Sequence, residues 1–189
     1  MELFSTHITD YLVKREIIKQ EDYNVYRYGF LCGAEILLNL SASVFISILL
    51  HMEAECFLFF LFFIPLRSYI GGIHLSNYYL CFIFSCFTLL SVLLLVKFIY
   101  APSYISCIIY LLSNIALLFI RYVDHPNRPV SKAEVFYFEK KIHKILFLSF
   151  VLFLVFYIFH KSNDMFLESL TFLLVALTAF LGKLKYRAE

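Results

Sequence analysis

The sequence predicts an all-α, polytopic membrane protein, with six transmembrane helices behind an N-terminal amphipathic surface helix. Three observations predict it. Hydrophobic residues fill 62% of 189 positions and charged residues only 16%, against about a quarter charged in an ordinary soluble chain. The apolar residues gather in runs near the roughly 20 residues that cross a hydrocarbon core, and the mean hydropathy is +0.82. The basic residues collect between alternate runs. With 23 Phe and 14 Tyr against 5 Gly and 4 Pro, the composition excludes a disordered chain. Its length predicts one membrane-embedded domain over 1–189.

Residues 1–28 carry Leu3, Phe4, Ile8, Tyr11 and Leu12 near helical spacing, followed by Lys14, Arg15, Glu16, Lys19, Glu21 and Asp22. That pattern predicts an amphipathic cytoplasmic helix on the membrane surface; a helix packed on cytoplasmic loops fits it equally. The first span covers 30–50 and contains Glu35 and Asn39. A charged segment precedes it and no small-residue cleavage site follows, so it does not read as a secretory signal peptide. The second run, 56–66, is short and needs residues 67–73 or a thinned bilayer to cross. The third and fourth runs cover 78–100 and 103–120. A polar loop, 121–144, leads to the fifth (145–159) and sixth (165–181). The expected six-span bundle is thus 29–181, with 182–189 a cytoplasmic tail.

Charge tests whether the short second run crosses. If all six runs span and the N-terminus is cytoplasmic, the inside holds Lys14, Arg15, Lys19, Arg27, Arg67, Arg121, Arg128, Lys132, Lys140, Lys141, Lys144, Lys183, Lys185 and Arg187. Only Lys97 and Lys161 lie outside, as the positive-inside rule favours. Both termini are then cytoplasmic, and residues 67–77 share that face with the loop 121–144.

The stretch from Arg67 to Cys81 concentrates functional side chains between two apolar runs. Gly71 and Gly72 permit a left-handed backbone and close approach. His74 follows, Ser76 or Asn77 can cap the third span, and Cys81 falls about one turn inside it. Cysteine catalysis needs a thiolate, a base and oxyanion donors; a helix N-terminus and an imidazole both favour the thiolate. On one continuous helix His74 and Cys81 would lie roughly 10 Å apart along the axis, too far for a hydrogen bond. The pair therefore requires a bend over 73–77. Backbone N–H groups of that bend, or the Arg67 guanidinium, are then oriented for an oxyanion. The plainer alternative is an interfacial histidine beside a tight turn.

The other cysteines have weaker surroundings. Cys86 and Cys107 sit deep in apolar runs, Cys32 has no adjacent histidine, and the pair His51 and Cys56 lies among Glu53 and Glu55, which oppose thiolate formation. Glu35, an ionisable group within a span, is expected to be paired or functional, with Arg67 a partner within reach. Asp124 and Asn127, in the stiff turn Asp124-His125-Pro126-Asn127-Arg128-Pro129-Val130, are candidates for orienting His74. No metal site is expected: there is no C-x-x-C pair and no H-E-x-x-H motif.

Those residues carry a family resemblance. R-x-x-x-G-G-x-H-x-x-x-x-x-x-C stands here as Arg67, Gly71, Gly72, His74 and Cys81; Tyr28-Gly29, Glu35 and Asn39 mark the first span; and D-x-P-N-[KR]-P-[IV] runs from Asp124 to Val130, with Arg128 where Lys is commoner. The chain resembles the accessory gene regulator protein B (AgrB) family along nearly its whole length. The resemblance implies a membrane cysteine endopeptidase of quorum sensing, with Cys81 as nucleophile and His74 as base. It implies an AgrD-like amphipathic propeptide as substrate, taken as a thioester on Cys81 and released by an internal Cys or Ser as a cyclic thiolactone or lactone. It also implies a homodimer in the lipid bilayer, no cofactor and no nucleic-acid partner. The rival readings are a membrane transporter or channel for a peptide or small solute, using Glu35 and Arg67, a lipid-acting membrane enzyme, and a purely structural membrane subunit. Transport that survives Cys81→Ala would mark the transporter.

Overall fold

The computed structural model describes residues 2–72, 78–120 and 132–187. Among these, the chain is helical throughout: α1 (Glu2–Lys14), a 3-10 turn (Gln20–Asp22), α2 (Tyr23–Leu50), α3 (Glu53–Ile70), α4 (Tyr78–Phe98), α5 (Ser103–Ile120), α6 (Lys132–Ile158) and α7 (Ser162–Arg187). Five helical segments are long and apolar enough to cross a membrane: Gln20–Leu50, Tyr78–Phe98, Ser103–Ile120, Glu134–Ile158 and Ser162–Lys185. The expected sixth, α3, falls short of that standard. It matches α5 in length, at 18 residues, but carries Glu53 and Glu55 in its first turn and Arg67 in its last.

The position of α3 explains why it tolerates such ends. It packs against α2, α4, α6 and α7, and α7 in turn packs against α3, α4, α5 and α6. These two helices divide the core into halves. On one side Phe62, Leu66 and Ile70 of α3 meet Tyr110 and Leu117 of α5, Leu146 and Phe153 of α6 and Phe172 of α7. On the other, Cys56 and Phe59 of α3 meet Leu89, Leu93 and Val96 of α4 and Leu167 of α7. The outward faces stay apolar: Ile36 and Phe45 of α2, Phe84 and Phe87 of α4, and Phe147 and Ile158 of α6 are exposed. Such a surface suits acyl chains and not water.

Three boundaries differ from expectation. The helix of the first span, α2, starts at Tyr23, inside the segment read as a surface helix. The sixth span's helix continues to Arg187, through most of the presumed tail. Residues 132–144, read as part of the polar loop, are helical and continuous with the fifth span as α6. Charged helix formers such as Glu139, Lys140 and Lys141 have loop-like polarity yet helical propensity.

The N-terminal helix folds back along α2. Its contact face is made by buried Ser5 and Thr9, and Tyr23 donates a 2.8 Å hydrogen bond to Asp10. Leu3, Phe4 and Tyr11 remain exposed on the opposite side.

Helices α1, α2 and α6 end without glycine. Glu16, His51 and His160 adopt φ of 57°, 53° and 54°, and in each case the next N–H reaches back five residues, as in Met52 to Ser47 at 2.9 Å and Lys161 to Phe156 at 2.9 Å. These are Schellman-type ends built on residues that pay a steric cost there.

Candidate functional site

Helix α3 carries Pro65 in its interior and stops at Ile70, where Gly71 takes φ 79° and returns its N–H to the Arg67 carbonyl at 3.0 Å. Gly72 follows at φ 146°. Side chains rarely adopt such angles, so both glycines are needed for the chain to leave α3 as it does. A second constraint falls on Gly72. A Cβ built there would overlap Nη1 of Arg67 and stand 2.6 Å from its Cζ. The half-buried Arg67 guanidinium thus lies directly over the Gly72 backbone, and the missing side chain is what makes room for it.

Helix α4 begins at Tyr78, which places Cys81 in its first turn, half-buried and with a free thiol. The Ser85 hydroxyl is turned back to the Cys81 carbonyl at 2.8 Å. Cys81 and Arg67 share one end of the bundle, because seven residues join α3 to α4.

Glu35 and Asn39, one turn apart on α2, are half-buried. The electrostatic neighbours of Glu35 are Tyr28 on its own helix and Tyr78 at the start of α4, with Cys81 and Cys86 also near the Tyr78 phenol. The Tyr78 hydroxyl and the Asn39 side-chain oxygen are buried without a hydrogen-bond partner. The polar residues expected from the first span therefore face the start of the helix that bears Cys81. Tyr78 itself escaped the sequence reading, since an aromatic at a span's edge looks like an interfacial anchor.

His74, Ser76, Asp124 and Asn127 lie outside the described residues, as does the bend expected over 73–77. The rival pair separates clearly. His51 is exposed as the left-handed cap of α2, whereas Cys56 is 3% exposed and its thiol points at the Ser43 carbonyl, 3.9 Å away. A thiol held in the core in this way is packing. Among the described residues no group of three His, Cys, Asp or Glu side chains is placed to hold a metal ion.

A second polar cluster lies elsewhere. Glu168 of α7, Ser149 of α6 and Tyr110 of α5 are 1%, 0% and 1% exposed and joined by hydrogen bonds of 2.7 and 2.6 Å. The signal that would have found it was available: Glu168 is the lone acid inside the 165–181 run, and such groups are rarely incidental.

The family model described as Accessory gene regulator B matches residues 5–181. No curated protein and no solved structure matches the chain. The family match connects the protein to the accessory gene regulator system of quorum sensing and to peptide processing. It spans nearly the whole chain, including Arg67, Gly71, Gly72 and Cys81. The chain belongs to the accessory gene regulator B family.

Proposed function

We propose that this protein is a membrane-embedded cysteine endopeptidase that cleaves a short AgrD-like propeptide and lets it cyclise. Cys81 is the nucleophile and His74 the base. His74 takes the thiol proton as Cys81 Sγ bonds to the scissile carbonyl carbon; the C–N bond then breaks, and His74 passes that proton to the leaving amine. The resulting thioester is attacked by a Cys or Ser of the peptide itself. A new C–S or C–O bond closes the ring, the Cys81 C–S bond breaks, and the proton of the attacking group returns through His74 to the thiolate. No cofactor enters this balance.

The observation that carries this reading is the family match across the motif, joined to a free, half-buried thiol in the first turn of α4. Partial exclusion of water there protects the thioester from hydrolysis. The Arg67 guanidinium, set over Gly72, supports an oxyanion role, since a fixed cation stabilises charge developing nearby.

The same reading takes α3 as a sixth crossing. Lys97 at the end of α4 donates to the carbonyl of Leu50 at the end of α2, 2.8 Å away. This tether supports α2 and α4 running parallel, with α3 returning the chain between them. With cytoplasmic termini, Cys81 then faces the cytosol, where the propeptide is made, and a homodimer completes the assembly.

The test is to co-express chain and propeptide and search by mass spectrometry for a peptide acyl adduct on Cys81. Cys81→Ala and His74→Ala should abolish cleavage while membrane insertion persists, and Cys86→Ala and His51→Ala should keep it. Cleavage by Cys81→Ala would overturn the assignment.

A further inference from the structure

The chain Tyr110–Ser149–Glu168 has a fixed direction. Ser149 donates its one hydroxyl hydrogen to Oε1 of Glu168 at 2.7 Å, so in the 2.6 Å contact between Tyr110 and Ser149 the phenol is the donor. Every polar atom of the chain is then satisfied except one, Oε2 of Glu168, which is buried without a partner. Its surroundings are aromatic: Tyr110 stacks on Phe153 at 4.1 Å and tilts against Phe172 at 5.2 Å, and Phe172 meets Phe62 at 5.8 Å.

Among the described residues no cation is hydrogen-bonded to this carboxyl. Helix α5 bears no charged residue. On α3 the acids Glu53 and Glu55 sit at one end and the cation Arg67 at the other, and on α4 Lys97 sits at the helix end. On α6 the nearest charge, Lys144, lies five residues before Ser149 and is exposed. On α7 Asp164, one turn before Glu168, has Lys161 and Glu55 as its electrostatic neighbours. An ionised Glu168 would hold a full negative charge, shared by its two oxygens, in an apolar seam with a single hydrogen bond in support. A neutral acid would leave only one O–H without an acceptor, a far smaller penalty.

We propose that Glu168 is a proton-binding site, held as a neutral carboxylic acid with its proton on Oε2 inside the seam of α5, α6 and α7. The proton is the ligand and Ser149 the residue that orients the carboxyl for it. The site is separate from Cys81, since α5 and α7 meet it in the half of the bundle where both helices begin.

The test uses the full chain in lipid nanodiscs at neutral pH. A hydrophobic carbodiimide should add across the protonated carboxyl and leave an N-acylurea at Glu168, mapped by mass spectrometry. The infrared band of a protonated carboxyl should vanish in Glu168→Gln. That variant, a neutral isostere, should melt within about 2 °C of the wild type, whereas Glu168→Ala should lose roughly 5 °C or more. Loss of carboxylate absorption instead of the protonated band would overturn the proposal. Should the glutamine variant fail to fold, wild-type labelling decides: an adduct on Glu168 supports the site, and an unmodified Glu168 overturns it.

Discussion

At one end of the bundle α3 stops on two glycines and α4 begins with Cys81 half-exposed; in the other half, Tyr110, Ser149 and Glu168 are sealed at 1% exposure or less. Both regions are polar and both are embedded among apolar helices. They differ in what surrounds the polar atoms. Around Cys81 the backbone is held open by glycine, a guanidinium lies on bare backbone, and the Tyr78 hydroxyl has no partner. Around Ser149 three helices close on an aromatic wall and leave one oxygen unsatisfied. The nucleophile proposed at Cys81 would have to be reached by its substrate, and the Tyr78 hydroxyl beside it is left without a hydrogen-bond partner. A buried relay need only be held, so its neighbourhood uses nearly all of its donors. Unspent polarity at an accessible helix start is therefore the better marker of chemistry than polarity alone.

The largest effect that sharpens this contrast is loss of cleavage in Cys81→Ala. Gly72→Ala comes next. The new methyl meets the Arg67 guanidinium and a φ of 146°, so the guanidinium must leave its seat. Cleavage should fall on the order of 10²-fold if Arg67 supports the oxyanion, and strain should cost about 1–3 kcal/mol. A peptide-cleavage assay beside a thermal melt separates the two. An alanine variant with unchanged cleavage would show that the seat over Gly72 has no part in the reaction.

Much of this architecture was legible because a bilayer imposes length. The runs at 30–50, 78–100 and 103–120 became α2, α4 and α5 with small shifts, since any apolar stretch of that size satisfies its backbone as a helix. The start of α6 was not legible: Lys140 and Glu139 look the same in a loop and in a helix that rises out of a membrane. Helix α3 was harder still, because its burial by four neighbours, and not its own composition, decides whether charged ends are tolerated. At the site, Gly71, Gly72 and Cys81 stood out by residue type and spacing. The seat of Arg67 over Gly72 did not, since it depends on one backbone angle and one side-chain path. Glu168 was legible as a lone acid within a span, but its chain of partners was not, since Ser149 and Tyr110 come from two other helices.

In the sealed region the order of effects follows from the direction of the hydrogen bonds. Ser149→Ala removes the one donor to Glu168 and strands the phenol of Tyr110 as well, so it should cost about 1–3 kcal/mol. Tyr110→Phe removes only a donation to Ser149, whose own bond to Glu168 survives, and should cost about 0.6–1.7 kcal/mol, the range for single bonds between membrane helices. Thermal melts in nanodiscs rank the two. Cleavage should persist in both, because neither touches the Cys81 end. If Tyr110→Phe were the more damaging, the relay would run in the opposite direction.

The smallest effect probes the far end of α4, opposite Cys81. Lys97 of α4 donates to the last carbonyl of α2, at Leu50, where an ammonium complements both an unsatisfied acceptor and the negative helix end. The contact is exposed, so water competes for both partners and salt screens the charge. Lys97→Met keeps the apolar stem and removes only the ammonium. Its cost should lie between about 0.3 and 1 kcal/mol and shrink as salt is raised. A melting temperature that responds to Lys97→Met equally at low and high salt would mean that the contact acts through packing. The pairing of α2 with α4 would then rest on Ile46 and Leu50 of α2, packed against the cluster of Cys56, Leu89 and Leu93, and not on the tether.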